Sequence, residues 1–370
     1  MSDNTSRRQP RLQAPRKGSY SSSHPCGILL LFLHSGHSSA GGTKTNHSRL
    51  FVTQRCAFLA FFLLAGAVFV RNWSLSPFSH SRRSNDDVKP PACVARLIGP
   101  DSSWQDWIQR QAQLPSHLRC APTSKSCRCV DPSQASKRGA KWDKAFERNK
   151  AIVRNHSQPS NLPLDMVMLG DSFLEFWMGS YLNTPQVKMR ENRIIFDRLF
   201  QSTNSSLHAI ALGISSDQTS HLLYRLLNGE MPSELEARFF FVLIGTNNIG
   251  AGCSANVTFA GITKVVGLIR QRNPTSTILL HALFPRGKEP FEGNPLWQQI
   301  ALVNTYLECY AEGDPRVIFV NHTDIALSTD HSRVNQTLFP DYLHPTAAAY
   351  ELWGQRILQS ALEAHPINEG

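Results

Sequence analysis

The sequence predicts an α/β fold, a flavodoxin-like three-layer α/β/α sandwich around a five-stranded parallel sheet, over residues 161–364. Three observations predict it. Short apolar runs alternate with helical patterns through that region, the signature of a parallel sheet with helices on both faces. The third run, Phe239 to Ile244, is apolar at every position, as a central strand covered on both sides must be. Three of the runs end directly on a glycine (Gly170, Gly213 and Gly245), so that the loops after them converge on one crevice at the carboxyl edge of the sheet.

The expected strands are 164–169, 207–212, 238–244, 277–283 and 316–320. Helical patterns fall between them at 173–182, 219–227, 259–272 and 296–311, with a last one at 346–362 after Pro345. Right-handed crossovers between parallel neighbours complete the sandwich. Residues 93–160 form a Cys-containing lead-in, with a helix expected over 142–154.

The formal net charge of the 370-residue chain is +10, which at first sight suggests nucleic acid. Its distribution argues otherwise. Residues 1–160 carry 24 Lys and Arg against 8 acids, whereas residues 161–370 carry 14 against 20. The basic excess lies outside the region that holds the motifs, so a nucleic-acid groove is not expected. Residues 1–55 are rich in Ser, Arg, Gly and His without sustained periodicity, and read as a disordered basic region. Residues 56–70 are fifteen uncharged, apolar positions between Arg55 and Arg71. The basic segment before them predicts an uncleaved single-pass type II signal anchor, with the C-terminal part in the secretory lumen or outside the cell. A signal h-region of a secreted chain and an organelle-targeting segment are the alternatives. Residues 71–92 read as a linker ending at Pro90-Pro91.

Six glycosylation sequons follow the apolar segment, at Asn72, Asn155, Asn204, Asn256, Asn321 and Asn335. So do six of the eight cysteines: Cys93, Cys120, Cys127, Cys129, Cys253 and Cys309. Disulfides are expected among them, foremost within residues 93–129. Cys127-Arg128-Cys129 lacks the spacing of a zinc site, and no metal or other cofactor is expected.

Four segments carry chemistry: Gly170-Asp171-Ser172, Gly213 to Thr219, Gly245-Thr246-Asn247-Asn248, and Asp341-Tyr342-Leu343-His344. A serine at a strand-to-helix turn exposes its hydroxyl, and its own N–H can face a developing oxyanion, so Ser172 is the candidate nucleophile. A helix cap is the competing reading. His344 can take the serine proton and return it to a leaving group, and Asp341, three residues earlier, can hold the other ring nitrogen. The competing reading for this pair is a cap of the helix after Pro345. Asn247 offers an amide N–H to an oxyanion, while Asn248 reads as a turn residue and Asp217-Gln218-Thr219 as a cap. Phe173, Phe176 and Trp177 could line an acyl pocket, although aromatics at helical spacing usually belong to a core. Arg286 and Lys288 could meet a phosphate or a sugar, against the alternative of a solvated loop.

These motifs resemble the SGNH (GDSL) hydrolase superfamily, and within it the catalytic subunits of platelet-activating-factor acetylhydrolase and their relatives. The likeness covers residues 140–362, through GDSFLEFW, the NGE, GTNN and PRG segments, and DYLHPT. It implies Ser172, Asp341 and His344 as a triad, Asn247 as an oxyanion donor, and possible homodimers. One position departs from the pattern. Where those relatives carry a glycine before Asp217, whose N–H serves the oxyanion hole, this chain has Ser216. Serine keeps the N–H, but a positive φ there would strain it by about 1–3 kcal/mol; Gly213 is the fallback donor. The expected function is a serine esterase that removes a short acyl group, foremost acetyl, from a small ester through an acyl-enzyme. A carbohydrate O-acetylesterase acting on glycans is the alternative substrate reading, and a non-catalytic binding module the alternative of another class.

Overall fold

The computed structural model describes Cys93 and residues 104–115, 118–132, 134–156 and 164–365. The basic region 1–55, the apolar segment 56–70 and the linker 71–92 lie outside the described residues. Among the described residues no helix is long and apolar enough to cross a membrane.

Five parallel strands form the sheet: β1 (Met166–Gly170), β2 (Ala209–Gly213), β3 (Phe239–Leu243), β4 (Thr277–His281) and β5 (Val317–Val320). Their order is β2-β1-β3-β4-β5, the flavodoxin order, which puts the topological switch point between β1 and β3. Every residue of β1 to β4 is buried. Successive side chains point to opposite faces, so both faces of these strands are covered, and that is why their sequences are apolar without alternation, apart from Thr277 and His281 at the two ends of β4. The first two strands start two residues later than the apolar runs and continue through Gly170 and Gly213, which pair in register.

Nine helices carry the labels used here: α1 (Trp104–Ala112), α2 (Ala140–His156), α3 (Ser172–Trp177), α4 (Arg190–Phe200), α5 (Thr219–Arg225), α6 (Thr246–Gly250), α7 (Ala255–Arg272), α8 (Pro295–Glu312) and α9 (Ala347–Ala364). Helix α4 packs against α9, and α7 packs against α1, α5 and α8.

The helix expected over 173–182 is shorter in the structure. It stops at Trp177, Gly179 takes φ +73°, and a small hairpin pairs Ser180–Tyr181 with Thr184–Pro185. Leu182 and Asn183 both have positive φ (45° and 64°), as a tight hairpin turn requires. Helix α4 was not anticipated. Its buried stripe of Asn192, Ile195, Phe196, Leu199 and Phe200 has helical spacing, and Phe196 and Phe200 meet the edge of Trp177.

The disulfides correct the expected pairing. Only Cys120–Cys127 lies within residues 93–129; Cys93 pairs with Cys309 and Cys129 with Cys253. The segment before the sheet is therefore tied across the α/β unit. Trp107 of α1 packs on Phe259 and Tyr306, and Trp142 of α2 is buried with Phe146 against Ile214 and Tyr224.

Candidate active site

The loops after β1, β2 and β3 approach each other closely, and glycines permit it. A Cβ on Gly213 would lie 2.4 Å from both Asp171 O and Glu175 N, a distance real Cβ atoms do not reach. Gly245 takes φ +127° to turn the chain from β3 into α6. Asp171 caps α3, its Oδ1 accepting from Phe173 N at 3.2 Å, and Ser172 opens the helix with a side chain that is almost wholly buried.

Ser172 Oγ lies 2.9 Å from His344 Nε2, and His344 Nδ1 lies 2.7 Å from Asp341 Oδ2. The other carboxylate oxygen of Asp341 accepts from the backbone N–H groups of Leu343 (3.1 Å) and His344 (2.7 Å). Partial burial pushes the Asp341 carboxyl up, but these hydrogen bonds outweigh it and hold the group down at about 2. An ionised Asp341 can only accept, so Nδ1 carries the ring proton and Nε2 presents a lone pair to the serine hydroxyl. Thr346, not Asp341 or His344, caps α9. The imidazole is backed by Phe176, with ring centroids 4.4 Å apart. Phe173 and Trp177 are fully buried in the core.

The candidate oxyanion donors differ in readiness. Among the described residues neither Ser172 N–H nor Ser216 N–H meets an acceptor. Asn247 Nδ2 donates to Asp171 Oδ2 (3.1 Å) and to Asp217 O (3.0 Å), so both its hydrogens are engaged. Gly213 sits within the sheet in register with Gly170, and its missing Cβ gives clearance for the Asp171 turn. Ser216 is exposed and has φ +65°, one of five non-glycine residues at positive φ among the described residues, so the strained alternative is the one realised. Left-handed backbone costs a non-glycine residue about 1–2 kcal/mol, and glycine's extra unfolded-state freedom offsets about 0.5–1 of that. Ser216→Gly is therefore expected to raise the thermal midpoint by about 1–3 °C while keeping the N–H in place. A lowered midpoint would contradict the strain assignment.

Beneath the loops lies a buried polar network. Glu175 Oε2 accepts from Ser215 N (2.7 Å) and Oγ (2.6 Å), and Oε1 from Asn183 N (2.8 Å), joining the β1, β2 and hairpin loops. Asp217 Oδ1 accepts from Trp142 Nε1 (2.7 Å) and Arg138 Nη1 (3.2 Å). Arg225 is fully buried. It donates to Leu212 O (2.9 Å) and Gly170 O (3.3 Å) and pairs with Asp217 (3.3 Å) and Glu230 (3.4 Å). Burial raises all three inner carboxyls, Asp171 to about 7, Asp217 to about 6 and Glu230 to about 7. Gln218, not Asp217, is the cap of α5, and Asn248 bridges to Thr219 through N and Oγ1. Arg286 is not a solvated loop residue: its Nη1 donates to Thr246 O at 2.7 Å.

Sequence reading missed Glu175 and Arg225. Their only signal was a charged residue on an otherwise buried helix face, which is uncommon unless the charge is paired.

A family model described as the GDSL-like Lipase/Acylhydrolase family matches residues 168–352, half of the chain and all four chemical segments. The chain belongs to this family. It is similar to platelet-activating factor acetylhydrolase IB subunit alpha1 of Bos taurus, 33% identical over 146 residues, 40% of this chain and 60% of the relative. It is also similar to the alpha2 subunit of Gallus gallus, 32% identical over 170 residues, 46% of this chain and 69% of the relative. The alpha1 match thus spans less than two thirds of that relative's length. Among solved structures, a GDSL-like lipase from Bacteroides thetaiotaomicron is 20% identical, covers 61% of this chain and all of its own, and superposes with a TM-score of 0.47. In this chain Ser172 begins α3 directly after β1, and Asp341 and His344 lie on the segment just before α9.

Proposed function

We propose that the chain is a serine ester hydrolase that removes a short acyl group, foremost acetyl, through an acyl-enzyme. The observation that carries this is the continuous chain Ser172 Oγ–His344 Nε2 (2.9 Å) and His344 Nδ1–Asp341 Oδ2 (2.7 Å), built from residues 172 positions apart. Ser172 Oγ attacks the ester carbonyl as its proton passes to His344 Nε2. The carbonyl oxygen becomes an oxyanion facing the N–H groups of Ser172 and Ser216. Asn247 joins them when one of its amide hydrogens leaves Asp171 or Asp217. The imidazolium, held by ionised Asp341, returns the proton to the departing alcohol. Water then repeats the sequence on the acyl-serine and frees the acid.

Turnover of p-nitrophenyl acetate by the full chain, beside Ser172→Ala, tests the reading; equal rates for the two reject it. The second substrate reading, an acetylated glycan, is favoured by a polar cavity that adjoins the triad loop.

The compartment is part of the same proposal: a lumenal chain held by residues 56–70. Asn155, Asn204 and Asn321 are exposed, whereas Asn256 and Asn335 are half-buried and Asn256 is engaged by Tyr306 and Gln111. Expressed in a secreting cell, the chain is expected to shift in mobility on glycosidase treatment, with the glycans on Asn155, Asn204 and Asn321 among its sequons. An unshifted chain contradicts lumenal placement.

A further inference from the structure

A cavity of about 340 Å³ lies beside the triad loop, lined among others by Lys288, Ser328, Arg333, Asn335, Gln336 and Tyr342. Tyr342 stands between Asp341 and His344, and its carbonyl accepts from Gly287 N at 3.1 Å, so the triad loop and the loop bearing Lys288 share a wall. Tyr342 and His344 are two residues apart, hence within roughly 7 Å along the chain. Tyr342 has φ +60°, a conformation a tyrosine adopts only when its surroundings impose it. The opposite wall is a closed turn: Leu327 bridges Val334, Ser328 N donates to Arg333 O (2.9 Å), and Asn335 N to Ala326 O (2.8 Å).

The lining has a definite chemistry. No lining residue is acidic, two are cationic, and hydroxyl and amide groups make up most of the rest. Among the described residues neither Lys288 nor Arg333 forms a salt bridge. Asp330 lies near Arg333, but its carboxylate is taken up by Ser328 Oγ, Ser332 Oγ and Ser332 N. A choline-type phospholipid fits this lining poorly. Its headgroup places a cation beyond the phosphate, which two basic side chains repel, and its chains would meet apolar wall only at Val334 and Tyr342 among the lining residues. A sugar ring fits, because hydroxyls pair with amide and hydroxyl groups and a ring face can rest on an aromatic side chain.

We propose that this cavity holds the acyl acceptor, and that the acceptor is an anionic sugar, a hexose ring whose carboxylate meets Lys288 and Arg333. The proposal rests on the serine-esterase reading of the adjoining triad. Its ester oxygen lies on the ring, on the Tyr342 side toward the triad loop, while hydroxyls bond Ser328, Asn335 and Gln336.

The test uses the full chain from an oxidising host that adds no N-linked glycan. Acetate release is measured on O-acetylated polygalacturonate, on acetylated xylan as a neutral counterpart, and on an acetylated choline phospholipid. Wild type is expected to favour the polygalacturonate. Lys288→Met and Arg333→Met are each expected to reduce the polygalacturonate-to-xylan ratio of kcat/KM about tenfold, chiefly through KM, with Lys288→Arg restoring it. Thermal midpoints of the variants show that they fold. A ratio unmoved by either variant overturns the subsite, as does preference for the phospholipid. A wild type inert even to p-nitrophenyl acetate overturns the esterase reading itself, a result separate from failure of the subsite.

Discussion

Ser172→Ala is expected to lower kcat/KM for p-nitrophenyl acetate by about 10⁴-fold or more, because removing one member of a coupled triad costs nearly as much as removing all of them. The loss should fall on kcat, since the hydroxyl enters only as the bond to carbon forms. Folding should survive. Among the described residues Ser172 Oγ has one polar partner, His344, whose ring is partly exposed and can bond water when the hydroxyl is gone. A variant with an unchanged thermal midpoint and no turnover is the expected pair of results. His344→Ala should behave alike, and the double variant should be little worse than either single one, because both act in one proton-transfer step.

Arg225→Met should cost about 3–5 kcal/mol of stability, the usual penalty for stripping one partner from a buried ion network. That corresponds to a midpoint lowered by on the order of 10 °C. Arg225 holds the Gly170 and Leu212 carbonyls at the ends of β1 and β2 and stands between Asp217 and Glu230, both of them buried. The pH dependence has a definite sign. Burial raises Asp217 to about 6 and Glu230 to about 7 in the folded chain, above their unfolded values. The folded state therefore binds protons more tightly. The stability these groups contribute is fully present below about pH 4 and is lost as pH rises through 6 and 7. Removing the guanidinium raises both groups further, so the deficit of Arg225→Met should be larger at pH 8 than at pH 5. A deficit that shrinks with rising pH would contradict the account.

The strands were legible in the sequence because β1, β2 and β3 are covered on both faces and so have no polar position, Phe239 to Leu243 most plainly. The hairpin at Ser180–Pro185 was hidden because Phe173, Phe176 and Trp177 begin a helical stripe that Gly179 then interrupts. Ser172, Asp341 and His344 could be chosen because each stands in a short local motif whose chemistry is written in neighbouring residues. The supports under them could not. Glu175 meets Ser215 across 40 positions, Trp142 meets Asp217 across 75, and Cys129 meets Cys253 across 124. No local pattern encodes such partners; only the crossover topology brings them together. Ser216 is intermediate. Its departure from glycine was visible in the sequence, but the φ of +65° that makes it strained required the backbone.

The most direct test of the assigned nucleophile is labelling of the folded full chain with a fluorophosphonate, followed by peptide mapping. Such a probe forms a phosphorus–oxygen bond, with loss of fluoride, at a serine activated by a neighbouring base. One adduct on Ser172, much slowed in His344→Ala, is the predicted result. A folded chain that takes no label, or takes it on another serine, would contradict the account.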